Sequence, residues 1–224
     1  MICEQMRLWV DPVRRSGPEA MAVDEWLLET VETPVLRVYR WAGEWASVGY
    51  FGEISVARRL FPGVDLVRRW TGGGMVDHRA DWTYTLAVPR GEPLAELRGA
   101  ESYRQIHAAL AETLRAEGIS ARVSGGGEET GAVLCFENPV SYDLLGDKGG
   151  KLAGAGQRRS SQGLLHQGSV AGSGGDWEIS KQRAEDLASR LAGRWLEFSA
   201  PVELPVSCLQ KLGRYQSETW TCRR

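Results

Sequence analysis

The chain has little with which to cross a membrane or to hold a nucleic acid. None of its apolar runs approaches the roughly 18 residues that a bilayer span requires, and Met1 to Arg7 lacks the apolar core of a signal peptide. Lys and Arg number 27 against 29 Asp and Glu, a formal charge of −2, so no strong positive field is available to track a phosphate backbone or an anionic headgroup surface. These balances argue against nucleic-acid and membrane partners and for a cytoplasmic location. The four cysteines, Cys3, Cys135, Cys208 and Cys222, include no Cys-x-x-Cys pair and are too sparse for a disulfide scaffold. Only three histidines are present, His78, His107 and His166, without zinc-ligand spacing, so no metal site is expected. Internal repeats and low-complexity linkers are absent as well.

What remains is the composition of a folded, water-soluble body: 224 residues, 42% hydrophobic and 25% charged. One domain over 1–224 is the expectation. Ser16-Gly17-Pro18-Glu19 has the form of a capping box, and the apolar residues from Met21 to Val31 share one helical face, which predicts a helix over 18–32. Short β-branched and aromatic runs predict strands at 35–41, 46–50 and 64–70, with one or two helical turns over 54–60 between them. Residues 75–78 and 82–88 read as the arms of a hairpin around Arg79-Ala80-Asp81. The clearest long helix is 97–117, stopped by Gly118; strands at 119–123, 141–145, 151–157 and 164–170 and a helix over 178–195 follow, then a tail containing Pro201 and Pro205. Helices set between hairpin-like strands point to an α+β fold with a mixed, largely antiparallel sheet flanked by helices.

Chemistry concentrates in a few segments. Gly72-Gly73-Gly74, after Arg68-Arg69 and Thr71, allows a ligand to approach the backbone closely because glycine has no Cβ, although such a triplet equally suits a tight connection between strands. It is not the Gly-x-x-x-x-Gly-Lys-Ser/Thr loop of nucleotide binders, and Ser124 to Gly127 reads as plain loop. Cys135 sits in Val133-Leu134-Cys135-Phe136, company in which a lone cysteine is usually a packing residue. Lys151 opens Lys-Leu-Ala-Gly-Ala-Gly, whose small side chains leave room beside the ammonium; a solvated surface lysine is the ordinary alternative. If the two met, the cation would favour the thiolate and activate a nucleophile. His166, in Leu165-His166-Gln167-Gly168-Ser169, suits either substrate contact or a satisfied place within the sheet, and His78 is open in the same way. A Cys/His pair of protease type has no support beyond residue types.

The segment Arg68-Arg69-Trp70-Thr71-Gly72-Gly73-Gly74-Met75-Val76-Asp77-His78 resembles the signature of the biotin/lipoate protein ligase and octanoyltransferase superfamily. Four more segments resemble it in the same order: 18–25, the strands at 36–41 and 47–51, Lys151 to Arg159, and Leu165 to Ser169. The resemblance spans 17–172 and implies one mixed sheet flanked by helices, with an acyl chain in a tunnel over the sheet and its carbonyl beside Lys151. It also implies substrate contacts at Arg69, Thr71, Gly72, Gly73, Gly74, His78, Gly154, His166 and Gly168. Cys135-Phe136 resembles the cysteine segment of the octanoyltransferase branch, which implies that Cys135 and Lys151 are catalytic. The donor would then be octanoyl acyl-carrier protein and the acceptor a lysine of a lipoyl domain or of the glycine-cleavage H protein. Transfer would require no cofactor, with backbone N–H groups near Gly72 to Gly74 or Gly154 facing the oxyanion. The ligase branch, which consumes ATP and Mg and needs no cysteine, is the alternative, and a non-catalytic acyl- or carrier-binding protein is a third possibility. Gln157-Arg158-Arg159 fits both branches, and the short stretch after the last expected helix has no room for a ligase accessory domain. One departure is His78-Arg79-Ala80-Asp81, where the family commonly places an acid directly after the histidine.

Overall fold

The computed structural model describes residues 2–126, 131, 138, 140–201 and 203–223. In chain order the elements are β1 (Cys3–Val10), α1 (Gly17–Thr30), β2 (Val35–Tyr39), β3 (Trp45–Val48), α2 (Ile54–Leu60), β4 (Asp65–Arg68), β5 (Val76–Asp77) and β6 (Trp82–Pro89). Then come α3 (Pro93–Glu96), α4 (Gly99–Ala116), β7 (Arg122–Val123), β8 (Leu144–Leu145), β9 (Lys151–Ser160) and β10 (Gly163–Val170). The last are α5 (Trp177–Leu191), β11 (Ala192–Glu197), α6 (Val206–Gln216) and α7 (Glu218–Thr221).

Among the described residues, eight strands form the main sheet in the order β11-β1-β2-β6-β10-β9-β8-β7. Only β11–β1 and β1–β2 run parallel; every other neighbour pair is antiparallel, as the α+β expectation has it. Alternation along the central strands divides the core. Leu36 and Val38 of β2, Trp82, Tyr84, Leu86 and Val88 of β6, and Leu164 and Val170 of β10 pack beneath α4 and α5. Val35, Tyr39, Ala87 and Leu165 turn the other way, toward α1.

Helix α1 begins where the sequence indicates, with Glu19 accepting from the Ser16 N–H at 2.8 Å, which satisfies one of the donors that a helix start leaves orphaned. It is buried from Ala20 through Leu28, including Asp24 and Glu25, because the sheet covers one side and α6 the other. Glu25 explains that second cover, since it binds Tyr215 at 2.6 Å and pairs with Arg214 and Lys211 of α6. Two expectations fail here. The stretch after α5 is not a tail: the chain leaves α5 as β11, pairs with β1, and returns as α6 and α7. Residues 75–78 and 82–88 are not a hairpin either. β5 joins β3 and β4 in a small second sheet, while β6 runs through the centre of the main one. Arg79-Ala80-Asp81 thus turns the chain between sheets.

Candidate active site

The site lies between the two sheets, over the face of β9 and β10 that looks toward α1. A narrow cavity there is lined by Met21 of α1, Trp41, Ser47 of β3, Arg69, His78, the Gly154-Ala155-Gly156 run of β9 and Gln167-Gly168-Ser169 of β10. Glycines make the small-sheet connection fit against β9. A Cβ at Gly156 would lie 2.3 Å from the Gly72 carbonyl, and one at Gly49 would lie 1.9 Å from that of Gly73. The glycine loop is therefore clamped between the end of β3 and the middle of β9. Gly73 itself sits at φ +95°, a backbone conformation that side chains with a Cβ disfavour.

Arg69 organises the loop from beneath. Its guanidinium donates to the carbonyls of Gly72 (2.9 Å) and Gly74 (3.0 Å) and to Ser47 Oγ (2.7 Å). Thr71 donates to Gln167 Oε1 at 2.7 Å, and Gln167 Nε2 donates to Asp24 at 2.7 Å, so a buried chain of hydrogen bonds ties the loop through β10 to α1. Asp24 in turn holds Arg37 at 2.6 Å, and Asp11 holds the same guanidinium at 2.8 Å. With both carboxylates against it, the Arg37 pKa is raised although burial opposes its charge. Three buried charges satisfied in this way set α1 against the sheet, since breaking such a set strands an ion. Arg68, one position earlier, reaches outward to the carbonyls of Gly49, Tyr50 and Gly52 and to Thr221 of α7.

Lys151 opens β9. Its side chain is 2% exposed and its ammonium pairs at 2.6 Å with Asp143, which is wholly buried. Tyr103 of α4 donates to Asp143 at 2.6 Å and accepts from the Ala155 N–H at 2.8 Å, joining the acid to β9. A Cβ at Gly154 would meet Lys151 Cε at 2.6 Å and Nζ at 2.8 Å. Gly154 pairs with Ser169, and residues paired across neighbouring strands share a face, so the ammonium end of Lys151 rests on the cavity side of Gly154. Gly154 is thus small because the lysine crosses it.

His78 stacks on Trp41 at 4.2 Å and is held at both nitrogens, by Ser47 Oγ and by Asp81, each at 2.7 Å. The acid missing directly after His78 in the sequence is matched in space by Asp81, three positions on. Thr83 and Ser169 donate to the same Asp81 oxygen, while its Oδ1 is buried with no partner among the described residues.

The residues singled out in the sequence separate on this geometry. Arg69, His78, Gly154 and Gly168 line the cavity; Thr71 and Gly72 to Gly74 form the layer behind Arg69. The N–H of Gly72 is directed at the Gln157 carbonyl at 3.5 Å. His166 faces the opposite side of β10, in the core, between Tyr84 (3.1 Å) and Gln157 (3.1 Å). Burial, chiefly, depresses its pKa well below the usual histidine value, and His107 beside it is pushed down to about 4. Gly168 leaves room for the Tyr84 ring, whose Cζ a Cβ would meet at 2.1 Å. Cys135 lies outside the described residues. The buried Cys3 and Cys208 have thiol pKa values pushed up to about 11, mainly by burial.

Sequence reasoning passed over Asp143, Tyr103, Asp24 and Gln167. Strict alternation along β10 was the available signal for Gln167, because the residue after an inward His166 must face the other way. Asp143 carries no local signal beyond standing eight positions before Lys151.

This fold defines the class. Over nearly the whole chain the molecule superposes on a lipoate-protein ligase A crystallised with ATP (TM-score 0.73, 17% identity, 97% of this chain and 98% of that one). It also matches the Thermoplasma acidophilum bi-partite lipoate protein ligase solved with its E2 lipoyl domain (TM-score 0.57, 20% identity, 96% and 84% covered). It is thus an α+β protein with the lipoate-ligase catalytic fold. Residues 16–174 match the family model described as lipoyl protein ligase A/B catalytic domain, and the chain belongs to that family. Among curated relatives, octanoyltransferase LipM of Carboxydothermus hydrogenoformans is 34% identical over 176 residues, covering 74% of this chain and 65% of the relative. Octanoyltransferase LipM of Staphylococcus aureus is 34% identical over 166 residues, covering 67% and 60%. The chain therefore matches somewhat less than two thirds of the length of each.

Proposed function

We propose that the protein is an octanoyltransferase of lipoate biosynthesis, moving an octanoyl group from acyl-carrier protein to a lysine of a lipoyl domain or glycine-cleavage H protein. The observation that carries this is the buried Lys151–Asp143 pair lying across Gly154 at the cavity, in a chain whose curated relatives bear the octanoyltransferase name. In the first half-reaction the Cys135 thiolate attacks the donor thioester carbonyl, the carrier thiol departs and takes up a proton, and an octanoyl-enzyme thioester remains. In the second, a neutral lysine amine of the acceptor attacks that thioester, an amide forms, the amine proton is released, and the Cys135 thiolate is restored. Both steps exchange one acyl bond for another, so neither ATP nor a metal enters.

Lys151 supplies a fixed positive charge that favours thiolate and developing oxyanion alike, and Asp143 with Tyr103 holds it in place. Arg69 and His78 line the pocket for the acyl group, Thr71 braces the loop behind Arg69, Gly154 makes way for Lys151, and Gly168 makes way for the Tyr84 ring beneath the sheet. High thiol pKa values leave Cys3 and Cys208 poor nucleophiles at neutral pH, and Cys222 accepts from Arg58 and does not line the cavity, which supports assigning the acyl carrier to Cys135. Intact-mass measurement after mixing with octanoyl acyl-carrier protein tests the mechanism. The wild type should gain one octanoyl mass that hydroxylamine removes, and Cys135→Ser should not turn over. ATP-dependent attachment of free lipoate by Cys135→Ser, with no acylated wild type, would place the protein with the ligases instead.

A further inference from the structure

Beside the cavity, the outer edge of the glycine loop carries a rim that the chemistry above does not use. Tyr50 and Phe51 directly follow the point where Gly49 presses on the Gly73 carbonyl, and the Tyr50 N–H donates to the Thr71 carbonyl at 2.9 Å, so the backbone that carries both rings is tied to the loop. Phe51 is 85% exposed and meets Tyr50 edge-on at 4.9 Å. The Arg158 guanidinium lies 5.1 Å from the Tyr50 ring and 4.9 Å from Trp70, and that of Arg223 lies 4.2 Å from the Tyr50 ring and 5.0 Å from Trp220. Neither arginine forms an ion pair among the described residues, and Arg158 Nε is buried with no hydrogen-bond partner there. Two cations gathered on one aromatic ring, with donors to spare, call for an anion.

We propose that this rim docks the acyl donor, an acidic carrier domain whose anionic group is received between Arg158 and Arg223 while Phe51 is covered. The inference rests on the transfer reading above. Charge favours the donor over the acceptor as the occupant. The acceptor presents a lysine, an ammonium in water, which two unpaired guanidiniums repel, whereas a carrier with acidic side chains or a phosphodiester-linked arm offers oxygens that match the guanidinium fork.

The test uses the full-length double variant Arg158→Gln/Arg223→Gln and, separately, Phe51→Ser, which removes an exposed ring. Octanoyl acyl-carrier protein and the neutral thioester octanoyl-N-acetylcysteamine serve as donors, and binding of unacylated carrier protein is titrated in parallel. The half-saturating carrier concentration should rise at least ~10-fold in the double variant, the wild-type value should rise with ionic strength, and acylation by the neutral thioester should be unchanged. Carrier binding equal to wild type in the double variant, or equal slowing with both donors, would overturn the proposal. A wild type that neither donor acylates would refute the transfer reading, and the carrier titration would still decide the rim.

Discussion

The Lys151–Asp143 pair allows a quantitative check. At 2.6 Å, an effective dielectric near 20 gives about 6 kcal/mol of attraction, much of it offset by the loss of hydration that two buried ions incur. Removing one partner removes the attraction but leaves the other ion's desolvation in place. Asp143→Leu and Lys151→Met should therefore each destabilise the fold by about 3–5 kcal/mol. The double variant replaces both ions with apolar side chains and strands neither, so it should be far more stable than the sum of the single effects implies. A coupling energy of about 3 kcal/mol is expected from the cycle. Urea denaturation at pH 7, extrapolated linearly for the four proteins, measures it. Additivity within about 0.5 kcal/mol would mean that the ions do not depend on each other, and with that Asp143 would lose its part in holding the lysine.

Two further outcomes follow from the same interior. Burial pushes the His107 pKa down to about 4 from the ordinary 6.5, so between these values the unfolded chain binds the extra proton; stability should be full above pH 6.5, fall as pH drops toward 4, and lose about 3 kcal/mol from this residue alone. His166 shifts in the same direction and adds to the loss; a urea midpoint that stays constant between pH 7 and pH 4.5 would contradict the burial of both rings. Gly73→Val places a β-branched side chain at φ +95° and 3.3 Å from the Arg69 guanidinium, so it should cost about 1–2 kcal/mol of stability and nearly abolish octanoyl transfer; thermal melting and the acylation assay together check this, and a fully active variant would remove the loop from the acyl site.

Where side-chain period and end signals are local, the fold was legible. The capping box and Pro18 marked α1, and the helical repeat through Tyr103, Ile106, Leu110 and Leu114 marked α4. The segments that misled were those whose partners lie far away. Residues 192–195 were expected to close the last helix, yet they belong to β11 because the free edge of β1 accepts them in parallel register, Cys3 opposite Ala192. α6 has a good amphipathic face, but the prolines ahead of it suggested a tail, and its reason for docking is Glu25, about 190 positions earlier.

At the site the division is similar. The three glycines stood out in sequence because close backbone approach demands glycine, whereas Arg69, His78, Lys151 and Gly154 were marked chiefly by their place in motifs that resemble the superfamily's. Which atoms satisfy the buried charges depended on packing. Asp143 reaches Lys151 through the β8–β9 pairing and a tyrosine on α4, and Asp81 reaches His78 across a turn between two sheets. His166 and Gln167 exchange the roles that their residue types suggest, for the pleat puts the histidine in the core and the amide on the cavity. Sequence by itself determined the conformation of segments such as α1 and α4 and the inventory of reactive groups, since both follow from side-chain chemistry over a few residues. Only the tertiary structure decided which groups meet, because a strand face, a sheet edge or a buried ion's partner is chosen by free energies summed over contacts from every part of the chain.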